Sequence, residues 1–430
     1  MDLTTVLLRQ LRPRPLVVAG PGATRSRLAV ERALRAWGWA PAATPAGADL
    51  LVVCKPVGPV MAAVAERLWR QVPNPRARVD VGGEPDTVAA ALRAAHARLR
   101  DAAGQRADAL ERRHAPVQLD GQGHGQPDGH GHAHGGPGQD HGMGHGMGHG
   151  MGVVAGLPTA RRAADRDGLM LDRLHVPLGP VLPDWPGGLV LRASLQGDVV
   201  QEAEVEVLDL AGAEHARSGG EGEVAFWDEP WLRALAGAPV TAGDAARRRA
   251  AAQLDSLGRL LGVAGWADAA LAARRLRDDL LAGEAAAGVA GRFDRLARRL
   301  RRSRTLRWLT RGLGILPPRD AAADGIGGPV LRAGGDWDVT SRWLRWLDEV
   351  GASLEVLGGA AADRRLDPGD ETDGPRGPLA PGGPPSAALL RALPGLVVGA
   401  ELSAARLIVA SLDPDPDELA GAHATSVAHG

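Results

Sequence analysis

Residues 48–83 read ADLLVVCKPVGPVMAAVAERLWRQVPNPRARVDVGG. After its aspartate, Asp49–Val53 is apolar throughout, rich in Leu and Val and too short for a helix. That pattern predicts a strand covered on both faces. From Val60 to Val72, the side chains of Met61, Val64, Leu68 and Trp69 recur at helical spacing. Ala77–Val81 predicts another strand, closed by Gly82 and Gly83. Upstream, the short apolar run Leu16–Ala19 ends at Gly20-Pro21-Gly22, and Thr24–Trp37 carries Leu28, Leu34 and Trp37 at helical spacing. Downstream, Pro85 to about Arg112 predicts one long helix. Continuously apolar strands alternating with helices predict a small parallel α/β domain over residues 1–115. Gly20-x-Gly22 after a strand invites a nucleotide reading, but Arg25 stands where a third glycine belongs. A plain strand-to-helix turn is the expectation.

The totals set bounds. A chain of 430 residues has room for two or three domains. Its formal net charge of −1 points to no nucleic-acid partner. Lys55 is the only lysine, and tyrosine is absent, which excludes a phenol-dependent mechanism. Cys54 is the only cysteine, so one chain cannot build a disulfide, a zinc–thiolate site or a cysteine-ligated iron–sulfur cluster. Lying inside a strand, Cys54 reads as a small buried apolar residue rather than a ligand. The opening MDLTTVLLRQLRPRP lacks a signal-peptide core, and no apolar run approaches membrane-spanning length. A cytoplasmic protein is the expectation.

Residues 116–152 separate two unlike halves. Within them, Gly121–Gly152 reads GQGHGQPDGHGHAHGGPGQDHGMGHGMGHGMG. Such a glycine-rich stretch without apolar periodicity buries too little to offset its ordering entropy, and is expected to be disordered. His124, His130, His132, His134, His141, His145 and His149, with Met143, Met147 and Met151, are the candidate metal ligands. Imidazole suits nickel, zinc and copper(II), and thioether suits copper(I). Loose, pH-dependent loading is expected rather than a rigid site. The alternative is a spacer whose histidines only solvate it.

In residues 153–430, Leu189–Leu195, Gln196-Gly197 and Asp198–Leu208 predict a β-hairpin, with Glu204 and Glu206 on its wet face. Helical patterns follow. Asp244 is a plausible cap for a helix carrying Leu254, Leu257, Leu261 and Ala264, and Leu271–Leu281 predicts the next. Phe293–Leu309 predicts another, in a stretch with nine arginines between Arg292 and Arg311 against Asp294 alone. That basic face is either simply solvated or sits on anionic lipid or an acidic partner. Asp336 is expected to cap a helix whose Val339, Trp343, Leu347, Val350, Leu354 and Leu357 read as core, with Trp337 and Trp346 packing beside them. Residues 363–385 read as a loop and Leu396–Leu412 as an apolar last segment.

Several stretches carry a family resemblance. Ala48–Arg76 with Val79–Gly83 resembles the 20-kDa subunit of respiratory complex I and the small subunit of membrane-bound [NiFe] hydrogenases. The resemblance implies a flavodoxin-like core. Gly179-Pro-Val-Leu-Pro-Asp-Trp-Pro-Gly187, followed by the hairpin, resembles the G-P-x-H-P-x-x-H-G opening of the complex I 49-kDa subunit. Arg298–Gly314 and Asp338–Leu354 resemble its bundle helices, and Gly374-Pro-Arg-Gly377 its E-(A/G)-P-R-G element. Leu407-Ile-Val-Ala-Ser-Leu-Asp-Pro414 resembles the end of energy-converting hydrogenase large subunits, where C-x-x-C follows.

The departures bear on chemistry. Gly20-Pro21-Gly22 and Glu84 stand where the resemblance implies cluster cysteines. Leu182 and Pro186 replace the histidines of the quinone site. Asp415-Pro-Asp-Glu418 replaces the terminal C-x-x-C. Neither an iron–sulfur nor a Ni–Fe centre is therefore expected. Asp415 and Glu418 read as an exposed carboxylate pair, with hard-cation binding as the alternative. The fold expectation is α/β plus α+β, with a β-hairpin and helix bundle of hydrogenase-large-subunit type after the linker. The functional expectation is a non-catalytic structural, assembly or regulatory component. It would be peripheral on the inner face of the cell membrane, beside complex I-like or antiporter-like subunits. Two alternatives are a nickel, copper or zinc accessory protein acting through the linker, and a residual NADH:quinone-type oxidoreductase subunit.

Overall fold

The computed structural model describes residues 12–114, 170–210, 224–367, 373–379 and 383–420, with three short strand segments between 153 and 164. The candidate metal ligands His124 to Met151 lie outside the described residues. The architecture is mixed: a small parallel sheet, an antiparallel sheet and a helical domain.

Strands β1 (Pro15–Ala19), β2 (Leu50–Cys54) and β3 (Ala77–Val81) form a parallel sheet in that order. β2 is central and every residue in it is buried, which explains its unbroken apolar run. Its side chains alternate between faces. Leu50, Val52 and Cys54 pack with Val30 and Leu34 of helix α1 (Thr24–Trp37) and with Val88 and Leu92 of α3 (Pro85–Arg100). Leu51 and Val53 pack with Met61 and Ala65 of α2 (Pro59–Gln71). The sheet is thus covered on both sides. Lys55 follows β2 directly and is exposed, and its carbonyl accepts the Ser26 hydroxyl. The expected helix from Pro85 to Arg112 is broken at Asp101, where α4 (Ala102–His114) begins. Asp101 Oδ1 accepts the Ala103 N–H at 3.1 Å, and this local bond competes with continuation of the helix.

In the second half, β4 (Arg162–Ala164), β5 (Met170–Leu178), β6 (Leu189–Gln196) and β7 (Val199–Val207) form an antiparallel sheet. The β6–β7 hairpin matches expectation, with Gly197 at φ +60° in its turn and Glu204 and Glu206 exposed. β5 escaped the pattern because Asp172, Arg173 and His175 interrupt its apolar residues.

Around this sheet lie α5 (Glu229–Leu235), α6 (Ala242–Val263), α7 (Ala267–Leu281), α8 (Ala286–Arg302) and α9 (Arg304–Thr310). After short helical segments at Pro318–Ala323 and Gly328–Leu331 come α10 (Val339–Gly358), α11 (Pro385–Val397) and α12 (Leu402–Leu412). α6 is the hub, packing on α7, α10 and α12. Its Leu254, Leu257 and Leu261 share one core with Trp343, Leu347, Val350 and Ile408. Two expected caps shift. Thr241, not Asp244, caps α6, and Asp244 completes a reciprocal capping box from the third helical position. Asp338, not Asp336, caps α10 by accepting the Ser341 N–H at 2.8 Å. The expected helix Phe293–Leu309 is interrupted at Ser303, whose hydroxyl oxygen accepts the Leu306 N–H and starts α9.

The two halves share packing. Leu28 of α1 joins the main core with Leu178, Trp185 and Leu189, while Val181 and Leu208 lie against the cluster of Leu16, Val18 and Met61. Asp209 accepts the Val60 and Met61 N–H groups, each at 2.8 Å, and so caps α2 from the other half. Among the described residues, no helix is long and apolar enough to cross a membrane.

Candidate functional site

Three segments far apart in sequence meet where the halves join: the Gly20–Gly22 turn, the Trp185–Gly188 loop and Asp413–Glu418. Gly22 sits at φ +84°, where a side chain is strained. A Cβ on Gly187 would lie 2.6 Å from the Ala19 carbonyl oxygen, so the two backbones abut. The Gly22 N–H donates to Asp417 Oδ1 at 2.6 Å across 395 residues of chain. A void of about 20 Å³ remains between Gly20, Thr24, Arg27, Trp185, Asp415 and Asp417. That is room for roughly one water molecule.

The C-terminal carboxylates do not form the exposed pair expected of them. Asp415 is 5% exposed, Asp417 6% and Glu418 3%. The physical reason is that each finds partners from distant elements. Glu418 Oε2 accepts the Ser386 N–H at 2.8 Å, and the Ser386 hydroxyl accepts the Asp415 N–H at 2.8 Å. Asp415 Oδ1 accepts the Asp417 N–H at 3.1 Å, and Asp417 also takes a hydrogen bond from Thr24. Arg376, from the Gly374-Pro-Arg-Gly377 element, is the central cation of this group, with Arg248 acting on Asp228 and Arg27 on Asp417 from its edges. Arg376 donates to Asp413 Oδ2 and the Asp413 carbonyl at 2.6 Å each, and to Asp415 at 3.4 Å. Its Nη1 lies 3.9 Å from Glu418 Oε1. Asp228, 1% exposed at the start of α5, faces the same group, and neither its Oδ1 nor Glu418 Oε1 has a hydrogen-bond partner among the described residues.

Here carboxylates outnumber guanidiniums, and burial raises the pKa values of Asp228, Asp417 and Glu418. Burial, with Asp415 adding repulsion, pushes Asp228 up to about 7 and Asp417 up to about 7. Burial and Asp228 push Glu418 well above the usual carboxylate range. The group holds protons near neutrality.

Asp413 links this group to a second one with the opposite balance. Its Oδ1 accepts Arg259 at 2.6 Å, and its Oδ2 accepts the Ser256 hydroxyl at 2.6 Å. Beyond it lies Asp255 on α6, with 0% of its side chain exposed. Arg27 of α1 contacts it at 2.8 Å, Arg277 of α7 contacts it directly, and Arg259 lies at 3.6 Å. Glu31 of α1 contacts Arg27 at 2.8 Å and Arg277 at 3.0 Å, and Asp278 contacts Arg35 at 2.7 Å. Burial pushes Asp255 and Glu31 upward, but the surrounding guanidiniums win and hold both below the usual range. This knot fastens α1 to α6 and α7.

The side chains of this seam do not fit the redox centres that the resemblance implies. The turn at Gly20–Gly22 carries no thiol. The lone Cys54 is buried in the sheet, where burial pushes its thiol up to about 12. Glu84 is exposed at the start of α3. Leu182 packs against the main core and Pro186 lines the void. Among the described residues, no group of three or more His, Cys, Asp or Glu is arranged to hold a metal ion. Sequence reading flagged Asp415, Glu418 and the Arg376 element but missed Asp228, Asp255 and Arg277. One signal was available: Gln253 and Asp255 interrupt a helix otherwise buried on nearly every side, and such residues need partners.

No family model and no curated protein matches the chain. Among solved structures, it is similar to a chain of the membrane-bound sulfane sulfur reductase, an archaeal respiratory membrane complex. That match has 17% identity and a TM-score of 0.40, and covers 58% of this chain and 98% of the other.

Proposed function

We propose that the protein is a non-catalytic structural, assembly or regulatory component of a membrane complex of the complex I or antiporter type. Its two halves stand in for the small and large subunits of a redox tip. The observation that supports this most is the convergence of the departing motifs. The Gly20–Gly22 turn, the Gly179–Gly187 element, Arg376 and Asp415–Glu418 meet at one seam, where the resemblance would put two redox centres face to face. At that seam the thiols and histidines are replaced by glycine, proline, leucine and carboxylates. The remaining void of about 20 Å³ admits a water but no quinone head. Packing and interdomain bonding are kept, and the means of redox chemistry are not.

The test is gentle purification of the full chain from its own host membranes, followed by protein identification and an absorption spectrum. The expected result is colourless protein accompanied by antiporter-type membrane subunits. A stoichiometric iron–sulfur band, or protein that never accompanies such subunits, would overturn the proposal. A second reading is carried by the seven histidines and three methionines between residues 124 and 151. In it the tract loads nickel, zinc or copper for a partner. Stoichiometric metal binding that disappears on deleting residues 124–149 supports that reading, and binding unchanged by the deletion sinks it.

A further inference from the structure

The face formed by α8 and α9 has no role in the seam. The core side of α8 is Val289, Phe293, Leu296 and Leu300, all buried. Its opposite side presents Arg295, Arg298, Arg299 and Arg302, all exposed. Arg299 pairs with Asp268 at 2.7 Å and Arg301 with Asp348 at 2.7 Å. Arg298, Arg302, Arg304, Arg307 and Arg311 form no ion pair among the described residues. In the middle stands Trp308, 78% exposed. The other ten tryptophans are buried or half-buried. Arg304 and Arg311 lie four residues before and three after Trp308, so all three side chains share one side of the turn. Ile315, 52% exposed, follows on the same stretch.

We infer that this face docks on a bilayer surface rich in anionic phospholipid. Exposed tryptophan is costly in water and favoured at the headgroup level, where its ring is half in hydrocarbon and its N–H stays wet. Flanking arginines reach phosphate oxygens while their stems cover apolar surface. Protein–protein interfaces also use Arg and Trp, but around a fully buried apolar centre. Here arginines surround and outnumber the apolar side chains, which matches a charged plane better than a protein partner. With a net charge of −1, attraction to an anionic surface needs a local excess of positive charge, and this stripe supplies one. The inference does not depend on the function proposed above.

The experiment is sedimentation of the full chain with vesicles of zwitterionic lipid alone or with about one-third anionic phospholipid, at about 0.1 M salt. A chelator is present so that the histidine tract carries no metal. Binding is expected only to the anionic vesicles, and is expected to weaken as salt rises. The combined variant R298Q/R302Q/R304Q/R311Q should lose at least about tenfold in partitioning. Trp308→Ala should lose about three- to tenfold. All five side chains are exposed, so both variants should melt like the parent. Equal binding to both vesicle types would overturn the inference, as would unchanged binding by the combined variant. So would tighter binding to RNA or polyglutamate than to vesicles, if the same variant removes it.

Discussion

Asp255 and Asp417 are both buried, both in the same seam and both bonded across the two halves, yet their carboxyl groups shift in opposite directions. Around Asp255 there are three guanidiniums, from Arg27, Arg259 and Arg277. Around Asp417 the main charge effect is repulsion from another carboxylate, Asp415, opposed by Arg27, which is already paired with Asp255 and Glu31, while Arg376 is spent on Asp413 and Asp415. Burial penalises both charges alike, so the local count of cations decides the protonation state. One end of the seam is an ionic clamp. The other is a carboxylate group that holds protons because it lacks enough arginines.

Breaking the clamp should have the largest effect. Arg277→Met leaves Asp255 and Glu31 buried with one cation fewer, and should cost about 3–5 kcal/mol of stability, read by denaturant unfolding. At the other end the sign should reverse. Asp228→Asn or Glu418→Gln removes a buried carboxyl that repels its neighbours once ionised, and should stabilise by about 1–3 kcal/mol at pH 8. Destabilisation by either variant at that pH would refute the excess-acid account.

The pH profile sharpens the same contrast. Asp228 and Asp417 have folded values of about 7 against an ordinary 3.8, so the folded state binds more protons between those limits. Their contribution is fully present below about pH 4 and is lost as pH rises through 7. Asp255 and Glu31 act in reverse, supporting the fold above the usual carboxylate range and failing as pH falls through their lowered values. The melting temperature should therefore fall between pH 5 and about 8, and the combined D228N/E418Q variant should flatten that slope. At about pH 5, where Asp417 holds its proton and relief of repulsion adds little, Asp417→Ala leaves the Gly22 N–H without its acceptor and should cost about 1–2 kcal/mol, and Asp417→Asn much less. The smallest effect belongs to a control outside the seam. Arg192 and Glu206 pair at 2.8 Å on the sheet surface with about half of each side chain exposed, and Arg192→Ala should change stability by less than about 0.5 kcal/mol.

The two halves also differed in how much of them could be read in advance. The parallel strands were legible because a strand buried on both faces leaves an unbroken apolar run, as in Leu50–Cys54. The hairpin and the stripe from Val339 to Leu357 were legible for a different reason, the alternation of a half-buried strand and the spacing of a helix face. Helix boundaries were less so. Asp101 and Ser303 interrupt patterns that remain periodic across the break, and only the bonds their side chains make reveal it. The carboxylates at 415–418 were misread as wet surface because acids in a proline-rich stretch usually are. What buries them is Gly22, Ser386 and Arg376, which no local pattern ties to them.

Lys55 carries one practical consequence. It is exposed at the end of the central strand, its carbonyl is held by Ser26, and Pro56 beside it packs near Gly22. It is also the sole lysine of the chain. An amine-reactive fluorophore has this one side chain and any free terminal α-amine to acylate, and the lysine-labelled product would thus be a spectroscopic reporter at the edge of the joint. It would follow protonation or loosening of the seam in real time, without a single engineered residue.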